Sequence, residues 1–126
     1  MSQGTKYNST NVQTLSDSTT ALTATSDKVQ VLDPDGAKTL TLPDLRNATV
    51  DATSGTGQVG TTLYADHSSG YFLVMNTAGG AEVLTIKGWN GSATDGTLGT
   101  PTQNESAECV WSGSSKGWIV SVSANS

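Results

Sequence analysis

Residues 28–42 have the sequence KVQVLDPDGAKTLTL, and this stretch decides the expected fold. Val29 and Val31 alternate with polar neighbours, and strict alternation resumes over residues 39–42. A period of two is typical of a half-buried β-strand. Between the two runs, Asp-Pro-Asp-Gly supplies turn chemistry, because proline presets φ, aspartate stabilises the bend and glycine follows. We therefore predict a β-hairpin over residues 28–42.

A second pair of strand signals lies further along the chain. Residues 71–75, YFLVM, form a continuous apolar run, which fits a strand that is covered on both faces. The segment Ala78-Gly79-Gly80 then turns the chain into residues 82–87, EVLTIK, in which alternation returns. We expect residues 82–87 to be the antiparallel partner of residues 71–75.

The C-terminal part of the chain carries another hairpin signal. Residues 107–111 and 118–123 flank a turn rich in Ser and Gly, and we expect Trp111 to face Trp118 across the hairpin. Six or seven short strands at this spacing, without any segment of helical periodicity, predict an all-β fold. The expected body, residues 27–126, is a small antiparallel sandwich or a jelly-roll-like barrel.

The composition supports the same fold class and indicates a thin core. The 126 residues include 20 Thr, 16 Ser and 14 Gly, which suits short strands and turns. Val, Leu, Ile and Phe together number only 23, but the net charge of −5 is too small for a disordered chain. Such a chain gains from self-association, because strand faces buried against other copies supply the apolar area that a monomer lacks. We therefore expect an oligomer.

The N-terminal segment, residues 1–26, stands apart from the body. Its sizeable apolar side chains after Met1 are Tyr7, Val12, Leu15 and Leu22, which follow no strong period of 2 or 3.6. Alone, such a segment buries too little to offset its ordering entropy. It is therefore either a floppy terminus or an extended arm that becomes ordered on a partner.

Charge and cysteine content bear on the class of partner. Six basic residues against eleven acidic ones, with no basic cluster, do not provide the Lys/Arg footprint that nucleic-acid binding requires. No apolar run approaches the roughly 18 residues of a membrane span, and the N-terminus lacks the apolar stretch of a signal peptide. The single cysteine, Cys109, permits no internal disulfide. We expect a protein made in a cytoplasm, with neither nucleic acid nor membrane as its partner.

One glycine-rich motif matches a cofactor-binding pattern. Residues 55–60, GTGQVG, have the spacing of the dinucleotide fingerprint. That fingerprint works only where a strand precedes it and a helix follows it. A Thr/Ala/Ser stretch precedes it here, and no helix is expected before Gly70. We interpret the match as accidental and predict no cofactor.

The candidate catalytic residues are few. His67 is the only histidine, and Ser68 and Cys109 are the nucleophiles that it could activate in a small hydrolase. Neighbouring loop residues point apart, however, and Cys109 shares a strand face with Trp111, which indicates packing. We therefore expect no enzymatic activity.

Two further sets of residues raise the question of a ligand. Asp33, Asp35 and Asp95 could supply oxygen ligands for calcium, but Asp-Pro-Asp-Gly is first of all a turn, so we predict no metal site. Trp89, in the segment Gly-Trp-Asn-Gly, is the best candidate for an exposed aromatic ring. Because an aromatic face can stack on a sugar ring, Trp89 is the candidate contact if the protein binds a glycan.

The order of strands and turns resembles that of small structural proteins of tailed bacteriophages. In those proteins a strand ending in Leu-Pro is followed by a Gly-aromatic-x-aliphatic-x-Asn strand, a strand ending in x-Gly, and a final Trp-containing hairpin. The matching segments of this chain are residues 29–32, 39–44, 70–76, 83–88, 108–111 and 116–120. The resemblance covers about residues 28–122. Over this range the chain is similar to capsid cement (decoration) proteins and to head- or tail-fibre domains.

The resemblance implies a function without catalytic residues. It implies a homotrimer on the outer capsid surface of the virion, with the major capsid protein as partner, that stabilises the expanded shell. The arm, residues 1–26, would grip the shell with Tyr7, Val12, Leu15 and Leu22 as apolar anchors. The alternative is a head- or tail-fibre module that binds a receptor or glycan, with Trp89 as its contact.

Overall fold

The protein is described by a computed structural model that covers residues 10–47 and 70–125. Within these ranges the chain is all-β: it forms nine strands and one 3-10 turn, and no helix long and apolar enough to cross a membrane. The strands are β1 (Thr10–Leu15), β2 (Thr19–Ala21), β3 (Val29–Pro34), β4 (Lys38–Thr41), β5 (Tyr71–Asn76), β6 (Leu84–Gly88), β7 (Gly96–Gly99), β8 (Glu105–Trp111) and β9 (Trp118–Ala124), and the 3-10 turn is Leu45–Asn47.

The strands form two mixed sheets. One sheet has five strands in the order β1-β3-β5-β8-β9, and the other has four in the order β2-β4-β6-β7. Four of the seven strand pairs are parallel, which corrects the expectation of antiparallel sheets. The alternation of side chains identifies a strand and its faces, but it carries no information about the direction of the neighbouring strand.

Strands β1 to β6 alternate between the two sheets and stack in parallel, as the turns of a coil do. We call the pairs β1–β2, β3–β4 and β5–β6 the first, second and third rungs. The second rung lies on the first with Thr10 opposite Val29 and Thr19 opposite Thr39, an offset of 19 to 20 residues. Each rung cannot bury its apolar side chains alone, so stacking builds the core in the manner of repeat proteins.

The two sheet assignments overturn two of the predicted strand pairings. The hairpin predicted over residues 28–42 is wrong, because its two strands, β3 and β4, lie in different sheets. The turn at Asp33-Pro34-Asp35-Gly36 carries the chain across the core, so that Leu32 and Leu40 are buried from opposite sides. The antiparallel pairing predicted for residues 71–75 and 82–87 is wrong for the same reason, since β5 and β6 also belong to different sheets.

The predicted C-terminal hairpin is confirmed. Strands β8 and β9 pair in antiparallel fashion with Trp111 opposite Trp118. The two indole rings meet edge to face, with 5.6 Å between their centroids. The Trp118 indole N–H donates a hydrogen bond of 2.9 Å to the Pro43 carbonyl oxygen, which ties this end of the core to the chain after β4. A T-shaped pair of this kind adds about 0.5–1.5 kcal/mol to the burial of the rings.

The core is continuous and takes in part of the N-terminal segment. Residues 10–26, expected to belong to an extended arm, form β1 and β2 and contribute two buried side chains. Leu15 and Leu22 are 1% and 8% exposed and pack in the same cluster as Phe72 and Trp118. Parallel pairing of β1 with β3 and of β2 with β4 joins this segment to the two sheets. Tyr7 lies outside the described residues.

Candidate functional site

Most of the candidate catalytic and cofactor-binding residues fall in one stretch of sequence. His67, Ser68 and the motif at residues 55–60 all lie outside the described residues. Cys109 is described: it lies on β8, is fully buried and faces the core. Burial, with a smaller contribution from the charge of Glu108, raises the pKa of the Cys109 thiol to about 12. The thiol therefore stays protonated at neutral pH, which makes it a poor nucleophile and supports the expected packing role.

The acidic turn residues make ion pairs and hydrogen bonds within the chain. Asp35 Oδ1 lies 2.9 Å from Lys38 Nζ, and the hydrogen bond with Lys38 is the largest cause that lowers the pKa of this carboxyl group. Lys38 Nζ also donates to the Ser16 carbonyl oxygen at 2.7 Å. Asp33 lies exposed on β3, and Asp95 is in the turn before β7. Across residues 10–47 and 70–125 no three His, Cys, Asp or Glu side chains come together as a metal site would need.

The predicted glycan contact, Trp89, has a neighbour on its ring. The Arg46 guanidinium carbon lies 3.7 Å from the Trp89 ring centroid, and the indole N–H donates to the Ser114 carbonyl oxygen at 2.7 Å. Arg46 is held in place by Asp44, whose carboxylate accepts three side-chain hydrogen bonds from it, of 2.9, 3.2 and 2.6 Å. The same contact with Arg46 lowers the pKa of Asp44. A sugar ring could stack on this face of Trp89 only by displacing a cation that is itself well anchored.

A polar cleft opens beside the first rung. Its volume is about 340 Å³. Its side-chain amides form hydrogen bonds within the chain: Asn11 Nδ2 donates to Gln30 Oε1 at 2.8 Å, and Gln30 Nε2 donates to the main-chain carbonyl oxygen of Asp27 at 2.8 Å. The cleft is lined by Asn11, Gln13, Thr20, Ala21, Leu22, Thr25, Ser26, Asp27 and Gln30. This lining suits water or a small polar molecule.

The five-stranded sheet presents a largely apolar surface on the side away from the core, which we call the outer face. Side chains alternate between the two sides of each strand, so the strand registers define three rows across this face. In those rows lie Tyr71, Val110 and Ile119; Thr10, Val29, Leu73, Glu108 and Ser121; and Val12, Val31, Met75, Ser106 and Ser123. Three of the four large apolar side chains that are notably exposed, Val12, Val110 and Ile119, belong to it.

Charge on the outer face is sparse and of one sign. Glu108 is the single charged side chain in the three rows, and Asp33 lies beyond them on β3. The Tyr71 hydroxyl donates a hydrogen bond of 3.1 Å to Glu108 Oε2. Partial burial, followed by the contact with Glu108, raises the pKa of Tyr71. No lysine or arginine lies in the rows, so the outer face suits contact with an apolar protein surface rather than with a polyanion.

The sequence contained one sign of the outer face that the predictions did not use. The run at residues 71–75 was expected to be covered on both sides, and its core side is indeed buried through Phe72 and Val74. Its other side chains, Tyr71, Leu73 and Met75, lie on the outer face. The Arg46–Trp89 contact had no sequence signal, because the two residues meet only through the tertiary structure.

Comparison with known protein families and with curated protein sequences gives no match to this chain.

Proposed function

We propose that this protein is a structural cement protein of a tailed-bacteriophage head, which binds the outer capsid surface as a trimer and stabilises the expanded shell. In this proposal it is not an enzyme, its partner is the major capsid protein, and its two sheets form a sandwich-like body. It is made in the host cytoplasm and resides in the virion. The proposal starts from the resemblance, whose segments coincide with β3, β4, β5, β6, β8 and β9.

The observation that carries the proposal is the outer face. A small chain that keeps Val12 at 72% and Ile119 at 52% exposed on the same surface bears an apolar patch that a solitary protein seldom leaves open. A cement protein works through such contacts, because it must bind copies of itself, the shell or both. The apolar patch therefore supports a function in assembly rather than in turnover of a substrate.

The structure changes which residues are suitable anchors for the shell. Leu15 and Leu22 are buried in the core, so using them as anchors would require the body to open at a large cost. Val12 is exposed on the outer face. Tyr7 precedes β1 and stays a predicted anchor in the proposal. Residues 1–9 are thus the segment assigned to gripping the capsid by adding extended backbone to it.

The experiment that tests the proposal is a binding assay with emptied, expanded capsids of the phage that encodes the protein. We expect the full chain to co-sediment with these capsids in a saturable way. The informative truncation removes residues 1–9 only, because β1 begins at Thr10. Deletion of residues 1–26 would also remove Leu15 and Leu22 from the core and would confuse unfolding with lost binding.

Three outcomes of this assay are distinct. Loss of binding in the short truncation, with tryptophan fluorescence unchanged, supports the arm. Unchanged binding in that variant contradicts a role of residues 1–9 in capsid binding but still agrees with a cement function. Binding to host cells or glycans without any affinity for capsids contradicts cementing and supports the fibre alternative. In that case Trp89→Ala should abolish glycan binding if the ring is the contact.

A further inference from the structure

The central strand of the five-stranded sheet is apolar on both sides, but within residues 10–47 and 70–125 only its core side packs against the other sheet. Phe72 and Val74 of β5 face the core, whereas Tyr71, Leu73 and Met75 face outward. No other described strand packs on that outward side, since all nine belong to the two sheets that share the core. A sheet face of this composition is normally covered, because burying each apolar side chain away from water stabilises the protein.

We propose that the outer face is where three copies of this chain meet, with their five-stranded sheets packed as the walls of a prism around a threefold axis parallel to the strands. The occupant of the face is thus the same face of two other copies. The inference deepens the proposed function by naming the surface that forms the trimer, and its threefold symmetry rests in part on that function. Its test, however, needs no capsid.

The width of the sheet fits three walls. Five strands at a spacing of about 4.8 Å make a wall about 24 Å wide, and three such walls leave about 7 Å between the middle of each wall and the axis. Packed sheets lie about 10 Å apart, so each contributes about 5 Å of side chain. Large side chains at the middle of each wall therefore fill a prism of three. Four walls would leave about 12 Å and an open channel.

The sizes of the side chains follow the same geometry. A prism is widest opposite the middle of a wall and narrowest at its corners. Three large outward side chains, Tyr71, Leu73 and Met75, are together on the central strand β5, whereas each edge strand carries one large apolar side chain, Val12 on β1 and Ile119 on β9, among Thr and Ser. Two sheets stacked face to face would have a uniform gap and no need for this gradient. The gradient therefore favours three copies over two.

Charge agrees with an identical partner, and the three copies share the buried area. Six residues at about 3.3 Å give each wall a height of about 20 Å, so each copy contributes about 480 Å² of sheet to the shared interface. A partner of different chemistry would be expected to complement a charge pattern, but the rows offer only Glu108. Its carboxylate already accepts the Tyr71 hydroxyl, so it needs no cation from a partner.

The prism predicts which residues of neighbouring copies lie close together. An axis parallel to the strands keeps each row at one height, so the edge residues of the same row meet at the corners. Val12 on β1 and Ser123 on β9 end the same row. Val12 of one copy should therefore approach Ser123 of the next, within the Cα separation of about 4.4–6.8 Å that a disulfide needs.

Oxidative cross-linking of the full chain tests this contact. The double variant Val12→Cys/Ser123→Cys should give a covalent trimer on a non-reducing gel, whereas each single variant should stay monomeric on that gel. The native Cys109 is buried and does not interfere. Disulfide-linked dimers from either single variant would reveal a twofold contact and overturn the inference. Absence of a cross-linked trimer from the double variant would do so as well.

Analytical ultracentrifugation of uncross-linked protein provides the second measurement. The wild type should sediment as a trimer, and Val31→Lys on the outer face should convert it to a monomer with an unchanged far-UV spectrum. The matched control is Thr97→Lys on the exposed edge strand β7, which should remain a trimer. A wild type that is monomeric, or a trimeric Val31→Lys, contradicts the inference. Trimers that fail to bind capsids would contradict only the cement function.

Discussion

Replacement of Leu15 by Ala tests whether the N-terminal segment is part of the folded core or is an arm that becomes ordered only on a partner. Leu15 ends β1, is 1% exposed and packs in the core cluster. Truncation of a fully buried leucine typically costs about 2–5 kcal/mol of unfolding free energy, because transfer energy is lost and a cavity remains. For a domain of this size, each kcal/mol lowers Tm by about 3–5 °C. We therefore expect Leu15→Ala to lower Tm by about 6–25 °C.

The assay is thermal or urea unfolding followed by tryptophan fluorescence, since Trp111 and Trp118 are both buried in the core. The matched control is Thr19→Ala, which changes an exposed side chain on β2 in the same segment and should shift Tm by no more than about 2 °C. All variants are compared at one protein concentration, because self-association adds to apparent stability. A wild-type unfolding midpoint for Leu15→Ala would show that this segment does not belong to the core and would refute the reasoning.

Three further substitutions probe the turn, the core thiol and the outer face. Gly117→Ala should destabilise the fold by at least about 2 kcal/mol in urea unfolding, because φ is +72° there and a Cβ would overlap the Trp89 carbonyl oxygen. The control is Gly79→Ala, where an added Cβ would lie in open space. Cys109 should resist thiol reagents in the folded state, and rapid labelling of folded protein would contradict its burial. The free energy of unfolding should fall as the pH rises from about 9 towards 12, because folding raises the pKa of the Cys109 thiol. Cys109→Ala should flatten that decline. Glu108→Gln should tighten the proposed trimer at low salt, because three carboxylates about 10 Å apart repel by roughly 0.4–1.7 kcal/mol per pair; a weaker trimer in sedimentation would count against the prism.

Several features of the fold were within reach of the sequence. The period-two runs predicted an all-β chain, and the pair of tryptophans around a Ser/Gly turn predicted the hairpin that β8 and β9 form. These predictions succeeded because they depend on local information: alternation defines a strand, and a short turn rich in Ser and Gly brings the flanking strands together. The packing role of Cys109 was predictable for the same reason, from its strand face shared with Trp111.

The positions of β3, β4, β5, β6, β8 and β9 and the short C-terminal turn were determined by the sequence alone, since each follows from neighbouring residues. The tertiary structure decided which strands pair. Asp33-Pro34-Asp35-Gly36 has the chemistry of a hairpin turn, yet it carries the chain from one sheet to the other, because parallel stacking on β1 and β5 buries Leu32 while β4 buries Leu40. The N-terminal strands are ordered in the same way, through partners about 20 residues away. The stability of a strand pair between segments so far apart in sequence depends on the packing of the whole core. A local sequence pattern therefore does not predict which strands pair.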